Sequence, residues 1–165
     1  MDWQLPLLVS AVVFAAFMVF RFRPAVSGEG RATAVALKEA KQRIRDAKDD
    51  PGRAVALCDA ADACARLGRT GGAVAYYQRA QRADPGSKDI AARAADALAR
   101  RPAALEKVMW RQLASWRFEE SRDAGVVALH ALATSYSKRT RFHVRARALE
   151  NVLEALGEPL PEKKD

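Results

Sequence analysis

Length, composition and charge exclude several classes of protein. The chain has 165 residues, enough for one domain and a short appendage. Half of its residues are apolar but only 7% are aromatic, which favours closely packed helices over a strand-rich core. The formal net charge of +8 directs attention to anionic partners, either nucleic acid or anionic lipid.

The two cysteines are expected to be reduced thiols packed in the protein interior. Cys58 and Cys64 stand six residues apart on one predicted helix. Six helical residues rise about 9 Å, which exceeds the Cα separation that a disulfide accepts. Because no spacing typical of metal ligands is present either, we expect no metal ion and no cofactor.

The first segment of the chain has the pattern of a membrane span. Residues 5–20 are uncharged and almost wholly apolar, with Trp3 before them and Phe22 after them. As a helix this stretch reaches about 30 Å, roughly the hydrocarbon thickness of a bilayer. Trp3 and the pair Arg21 and Arg23 stand where interfacial anchors belong. We therefore predict a transmembrane anchor over residues 1–23.

Two alternatives to a membrane span are a cleaved signal peptide and a buried core helix. A signal peptide begins with a positive region, but Asp2 is the one charged side chain before the apolar run. The basic residues Arg21, Arg23 and Arg31 follow the run and none precedes it. The positive side of a span stays inside, so we expect a single-pass protein of the inner (cytoplasmic) membrane with a cytoplasmic C-terminal domain.

The remainder divides into a linker, a helical domain and a tail. Residues 24–30 are rich in Gly, Pro and Ser and predict a linker. Residues 31–157 carry helical periodicity, beginning with a helix over 31–48 that stops at the Pro51–Gly52 turn signal. Residues 158–165 are predicted to be a disordered tail.

An internal echo divides this helical domain into repeats. Residues 61–66 return as residues 95–100, displaced by 34 positions. Small or apolar residues, with turn signals at Gly68 and Pro85, recur through residues 54–87 at Leu57, Ala60, Ala61, Cys64, Ala73, Tyr77 and Ala80. In length and register this pattern resembles the tetratricopeptide repeat (TPR), a helix–turn–helix unit of solenoid proteins.

Two degenerate repeats follow the clear one. Ser87 is a plausible N-cap and Pro102 a favoured first helical residue. Their predicted helices cover residues 88–101, 102–118, 123–136 and 140–156. The predicted fold class is therefore all-α, a TPR-like helical hairpin solenoid preceded by a single transmembrane helix.

Nothing in the sequence brings catalytic groups together. His130 and His143 fall on different predicted helices, and no glycine-rich phosphate loop follows a strand. Asp59 and Asp62 share one helix face, where a solvated or groove-lining surface is a simpler interpretation than an acid–base pair. We expect a protein that is not an enzyme.

The TPR resemblance implies a concave groove lined by the first helix of each repeat. The residues that it assigns to a partner-binding groove are Cys58, Asp59, Asp62, Arg66, Arg93, Asp96 and Arg100. An alternative is that Asp62 with Arg66, and Asp96 with Arg100, form ion pairs along their own helices. The Lys and Asn side chains of the family's carboxylate clamp are not matched, which disfavours a receptor for chaperone tails.

A second candidate surface is basic. It comprises Lys138, Arg139, Arg141, Arg145 and Arg147, and no acidic residue occurs over 124–148. Such a cluster either contacts anionic lipid or is a solvated face. Nucleic acid is an unlikely partner because no aromatic platform interleaves with these charges. Of the two tryptophans of this domain, Trp116 is expected in the core and Trp110 at an exposed contact.

Taken together, these patterns predict a membrane-anchored TPR adaptor or scaffold that recruits a protein or peptide partner through its groove. The arrangement is similar to that of TPR proteins of the bacterial inner membrane and of mitochondrial import receptors with an N-terminal anchor. The alternative is a structural subunit of a larger membrane complex with no exchangeable ligand.

Overall fold

The computed structural model describes residues 9–14, 17, 28–117 and 119–160, and it is helical through most of them. The helices are α1 (Gly28–Asp46), α2 (Asp50–Arg66), α3 (Thr70–Ala83), α4 (Lys88–Leu98), α5 (Pro102–Ala114), α6 (Arg122–Ser137) and α7 (His143–Ala155), with a short 3-10 helix at Thr140–Phe142. No strand occurs in the described ranges. The all-α part of the predicted fold class is confirmed.

The membrane part of that prediction is wrong. Residues 9–14 and 17 are helical and exposed, but no helix in the described part of the chain is long and apolar enough to cross a membrane. A span needs about 20 consecutive apolar residues, whereas the 19 residues of α1 include charged side chains in the first and the last turn, among them Glu29, Arg43 and Arg45. The assignment to the inner membrane as a single-pass protein is therefore also wrong. Residues 1–8, 15–16 and 18–23 of the predicted anchor lie outside the described residues.

The boundaries of the helical domain differ slightly from the predicted ones. Helix α1 begins at Gly28, so residues 28–30 of the predicted linker are helical, and residues 24–27 lie outside the described part. Glu158, at the start of the predicted tail, forms an ion pair with Arg122, in which Glu158 Oε1 lies 3.3 Å from Arg122 Nη2. Residues 161–165 are not among those described.

Helix α2 begins at Asp50, four residues before the predicted repeat. The Asp49 side chain accepts a hydrogen bond from the Gly52 backbone amide at 3.0 Å, which caps the helix. Pro51 lies in the first turn, where its missing amide would have no partner in any case. The turn signal at Pro51–Gly52 therefore begins a helix instead of only ending the one before it.

Three predicted helix ends are found where the sequence places them. Gly68 adopts a φ of 75°, a left-handed conformation that suits glycine after α2. The Ser87 hydroxyl accepts a hydrogen bond from the Ile90 amide at 3.4 Å and caps α4. Pro102 occupies the first turn of α5.

The helices pack in two rows. Helix α4 packs against both α2 and α6, which makes one row, and α3 packs against α5 in the second row. Helix α1 packs against α2 at one end, and α7 packs against α6 at the other. Alanines with no exposed surface let neighbouring backbones approach, among them Ala60, Ala61, Ala73 and Ala80. Small side chains thus set the spacing of the array.

Trp116 fixes the position of the segment between α5 and α6. Its indole is partly buried and lies directly over Gly125 of α6, where a β-carbon would overlap the ring. The glycine is therefore required by a close approach and not by its backbone conformation. This contact places the start of α6 against the end of α5.

Candidate binding groove

The predicted groove residues occupy three different environments, and Cys58 is in the interior. Its side chain is only 1% exposed, so a partner cannot contact it. Burial raises the pKa of the Cys58 thiol from 9.0 to about 12, which keeps it protonated and unreactive at neutral pH. Cys64 is also a buried free thiol, and burial raises its pKa.

Asp59, Asp62 and Arg93 belong to an ion cluster that joins three helices. Arg93 of α4 donates to Asp59 Oδ1 at 2.7 Å through Nη2 and to Asp62 Oδ2 at 3.1 Å through Nε. Arg43 of α1 donates to the second oxygen of Asp59, also at 2.7 Å. The cluster therefore ties α1 and α4 to α2.

Tyr77 completes the ion cluster from the protein interior. Its fully buried hydroxyl donates to Asp62 and lies 3.2 Å from the carbonyl oxygen of Arg93. Burial first, and then the hydrogen bond and negative charge of Asp62, raise the pKa of Tyr77. Burial alone would lower the pKa of the Arg93 guanidinium. Its hydrogen bonds with Asp59 and Asp62 have the opposite and larger effect, so the pKa is raised.

The remaining predicted groove residues, Arg66, Asp96 and Arg100, are exposed. Within the described residues none of them has an ion-pair partner, so the alternative of ion pairs along one helix does not occur. Asp62 pairs with Arg93 of α4 instead of with Arg66. Only Asp96 lines the principal groove described next.

We call the groove between α4 and α6 the principal groove because its lining is mostly apolar. It encloses about 560 Å³, and a larger, more polar pocket of about 830 Å³ lies between the ends of α3 and α5. The α4 wall of the principal groove consists of Ala92, Ala95 and Ala99, and Ala131 and Val127 face them from α6. Because these side chains are short, the groove has a shallow and largely apolar floor. The groove residues predicted from the TPR resemblance lie on α2 and at positions 93–100, whereas this groove lies between α4 and α6.

Polar side chains lie at the edges of the groove. Asp96 stands on the α4 edge, His130 on α6, and Lys138 and Arg139 where α6 ends. The cations are therefore concentrated at one end, and the apolar residues occupy the middle. No residue of α6 was among the predicted groove residues, so the wall formed by Val127 and Ala131 was not predicted.

One member of the predicted basic patch is neutralised from another helix. Arg139 Nη1 lies 2.9 Å from Glu106 Oε1 of α5, and its Nη2 donates to the Ser135 hydroxyl at 3.2 Å. The sequence shows no acid near Arg139, and the partner comes from a helix over thirty residues earlier. Arg139 therefore fastens the end of α6 to α5.

The Phe142 ring contacts three arginines of the predicted basic patch. The guanidinium carbons of Arg139, Arg141 and Arg145 lie 5.2, 4.7 and 5.3 Å from the centre of its ring. The Tyr136 ring lies 5.4 Å from the same centre. Sequence reasoning missed Phe142, although it stands between Arg141 and His143 in the chain. Lys138, Arg141, Arg145 and Arg147 are exposed.

Trp110 combines an exposed ring with a fixed orientation. It is 46% exposed, and its indole nitrogen donates to the hydroxyl of the buried Tyr136 at 3.0 Å. The sequence predicts an exposed contact here, but the groove-lining residues do not include Trp110.

The histidines do not converge on a reaction centre. His130 lines the groove, and the Nδ1 atom of His143 lies 2.8 Å from the Thr140 carbonyl oxygen at the start of α7. Among the described residues, no group of three His, Cys, Asp or Glu side chains is arranged to hold a metal ion. Comparison of the chain with protein-family models, curated proteins and solved structures finds no match.

Proposed function

We propose that this protein is an adaptor that binds a segment of a protein partner in the groove between α4 and α6, and that it acts by binding and not by catalysis. The observation that carries the proposal is the groove itself, with about 560 Å³ of mostly apolar concave volume. Sites that bind ligands typically enclose about 300–1,000 Å³, are mainly apolar and carry a few polar groups at their edges.

The alanine walls favour a peptide occupant. With only methyl groups at Ala92, Ala95 and Ala99, a polypeptide backbone can approach the axis of α4 closely. Larger side chains of the peptide would then supply the apolar area that the walls lack. At about 25 cal/mol per Å² of apolar surface, burial of two or three such side chains supplies most of the affinity.

The ion cluster supports a groove that exists before binding. Arg93 lies on α4 between the groove residues Ala92 and Ala95, and its hydrogen bonds to Asp59 and Asp62 hold α4 against α2. A wall that is already fixed costs less entropy when a ligand binds.

The TPR resemblance forms part of this proposal. Its support is the packing order, in which α2, α4 and α6 make one row while α3 and α5 make the other. A row of first helices is the surface that the resemblance assigns to partner binding. The proposal does not require the family's carboxylate clamp.

Selection of peptides from a random library on the immobilised full chain tests this function. The blocking variant is Ala99→Trp, because Ala99 is exposed at the end of α4 and an indole there fills the groove without entering the core. The matched control is Ala103→Trp, an exposed alanine on α5 that does not line the groove. We expect the selected peptides to bind Ala99→Trp at least tenfold more weakly than the wild-type protein and to bind Ala103→Trp with wild-type affinity. The binding free energies of the two variants should then differ by about 1.4 kcal/mol or more. Equal affinity for the two variants would contradict groove binding.

A further inference from the structure

The electrostatic asymmetry of the groove points to the chemistry of its occupant. Lys138 and Arg139 both line the groove where α6 ends. Arg139 also contacts the Phe142 ring, around which Arg141 and Arg145 are gathered. The groove and the arginine cluster are therefore continuous through Arg139.

Most of these cations have no carboxylate partner of their own. Arg139 is paired with Glu106. Lys138, Arg141 and Arg145 are exposed, and within the described residues no carboxylate lies within ion-pair distance of them. Arg141 and Arg145 each contact the Phe142 ring, and this cation–π attraction favours the presence of both like charges around one ring. Three unneutralised cations at one end of an apolar groove attract an anion there.

We propose that the groove binds a peptide with apolar side chains over the alanine walls, followed by carboxylates that contact Lys138, Arg141 and Arg145. This inference rests on the proposed function and specifies the partner as an acidic–apolar segment of a protein. Carboxylates suit these donors because a guanidinium presents a planar fork that matches two carboxylate oxygens.

The arrangement around Phe142 argues against a nucleic acid in the same place. Single-stranded nucleic acids bind by stacking their bases on exposed aromatic faces. Arginines and Tyr136 surround the Phe142 ring, so its faces are not open to a base. The apolar floor of the groove also suits peptide side chains better than a phosphate backbone.

The composition and charge dependence of the selected peptides test this inference on the full chain. We expect acidic residues to be enriched on one side of an apolar run. Replacement of those acidic residues by their amides should weaken binding about tenfold at low salt, and by less at high salt because exposed charges are screened. The double variant Arg141→Gln with Arg145→Gln should bind the acidic and the amide peptides with similar affinity.

A matched control separates this site from the net charge of the protein. The double variant Arg45→Gln with Arg53→Gln removes the same charge from exposed positions on α1 and α2. It should keep the preference for the acidic peptide, and loss of that preference in the control as well would overturn the inference.

The two proposals fail in different ways. If acidic and amide peptides bind equally and Ala99→Trp blocks both, groove binding stands and the acidic specificity is wrong. If the selected peptides are insensitive to Ala99→Trp, or no peptide is selected, the proposed function fails and this inference falls with it.

Discussion

Arg93 lies 34 residues after Asp59, and its guanidinium donates a 2.7 Å hydrogen bond to the carboxylate of that residue. This separation equals the displacement of the internal echo, so Asp59 and Arg93 stand at corresponding positions of α2 and α4. An acidic residue of α2 therefore meets a basic residue of α4 across the contact between these two helices.

The first prediction concerns this pair. Arg93→Met should lower the free energy of unfolding by about 1–3 kcal/mol, because Asp59 and Asp62 lose their shared cation while they remain only 27% and 23% exposed. Urea denaturation followed by circular dichroism measures the change. The control Arg100→Met, at an exposed position, should change stability by less than about 0.5 kcal/mol. Equal losses in the two variants would show that Arg93 contributes only as a surface charge.

The sequence predicted the helices well because their signals are local. Gly68, Ser87 and Pro102 each act within one turn of the chain, and their conformations are found as predicted. Apolar periodicity likewise marks which helix face is buried. Such features depend on neighbours three or four positions away, which a sequence displays directly.

Much of the site could not be predicted in this way because its partners come from different helices. The sequence shows Asp62 beside Arg66, but the structure pairs Asp62 with Arg93. It shows Arg139 in an acid-free stretch, but Glu106 reaches it from α5. Nearness along the chain suggested the wrong partner for Asp62 and no partner at all for Arg139. The 34-residue offset could have pointed to Arg93 through its other partner, Asp59, but not to the pair with Asp62, which is 31 residues apart.

The second prediction tests the buried hydroxyl. Tyr77→Phe should lower stability by about 1–3 kcal/mol, because Asp62 loses a hydrogen bond from a fully buried donor. Tyr76→Phe is a matched control, since Tyr76 is only partly buried and stacks with Arg79 through its ring. Thermal unfolding of both variants measures the difference. A wild-type melting temperature for Tyr77→Phe would exclude Tyr77 from the ion cluster.

The third prediction uses the close approach of Trp116 to Gly125. Gly125→Ala should destabilise the protein by about 1–3 kcal/mol, because the new methyl group overlaps the indole ring. Gly71→Ala, where a β-carbon meets nothing within 4 Å, should be neutral or stabilising by up to about 1 kcal/mol, since alanine favours a helix.

A double variant isolates the steric cause in this third prediction. With Trp116→Ala already present, adding Gly125→Ala should cost much less than it does in the wild-type protein. An unchanged cost in that background would mean that the glycine is needed for a reason other than the tryptophan. Denaturant midpoints of the four proteins complete the cycle.

The fourth prediction is a pH dependence of stability caused by Cys58. Burial disfavours the thiolate and raises the pKa of this thiol to about 12 in the folded protein, whereas the ordinary value of 9.0 applies in the unfolded chain. Between these values the unfolded chain has lost a proton that the folded chain keeps. Stability should therefore fall as pH rises above about 9, by about 1 kcal/mol per pH unit from this group, and the contribution is fully present below pH 9.

Comparison with Cys58→Ala isolates that contribution from those of other titrating groups. Tyr77 adds a loss in the same direction above pH 10, since its pKa is also raised by burial. Cys58→Ala retains the loss of stability caused by Tyr77 but not the loss caused by the thiol. Its stability should therefore fall less steeply than that of the wild-type protein between pH 9 and 10. Urea midpoints measured at both pH values give the two slopes. Parallel slopes would mean that Cys58 ionises as readily in the folded chain as in the unfolded one.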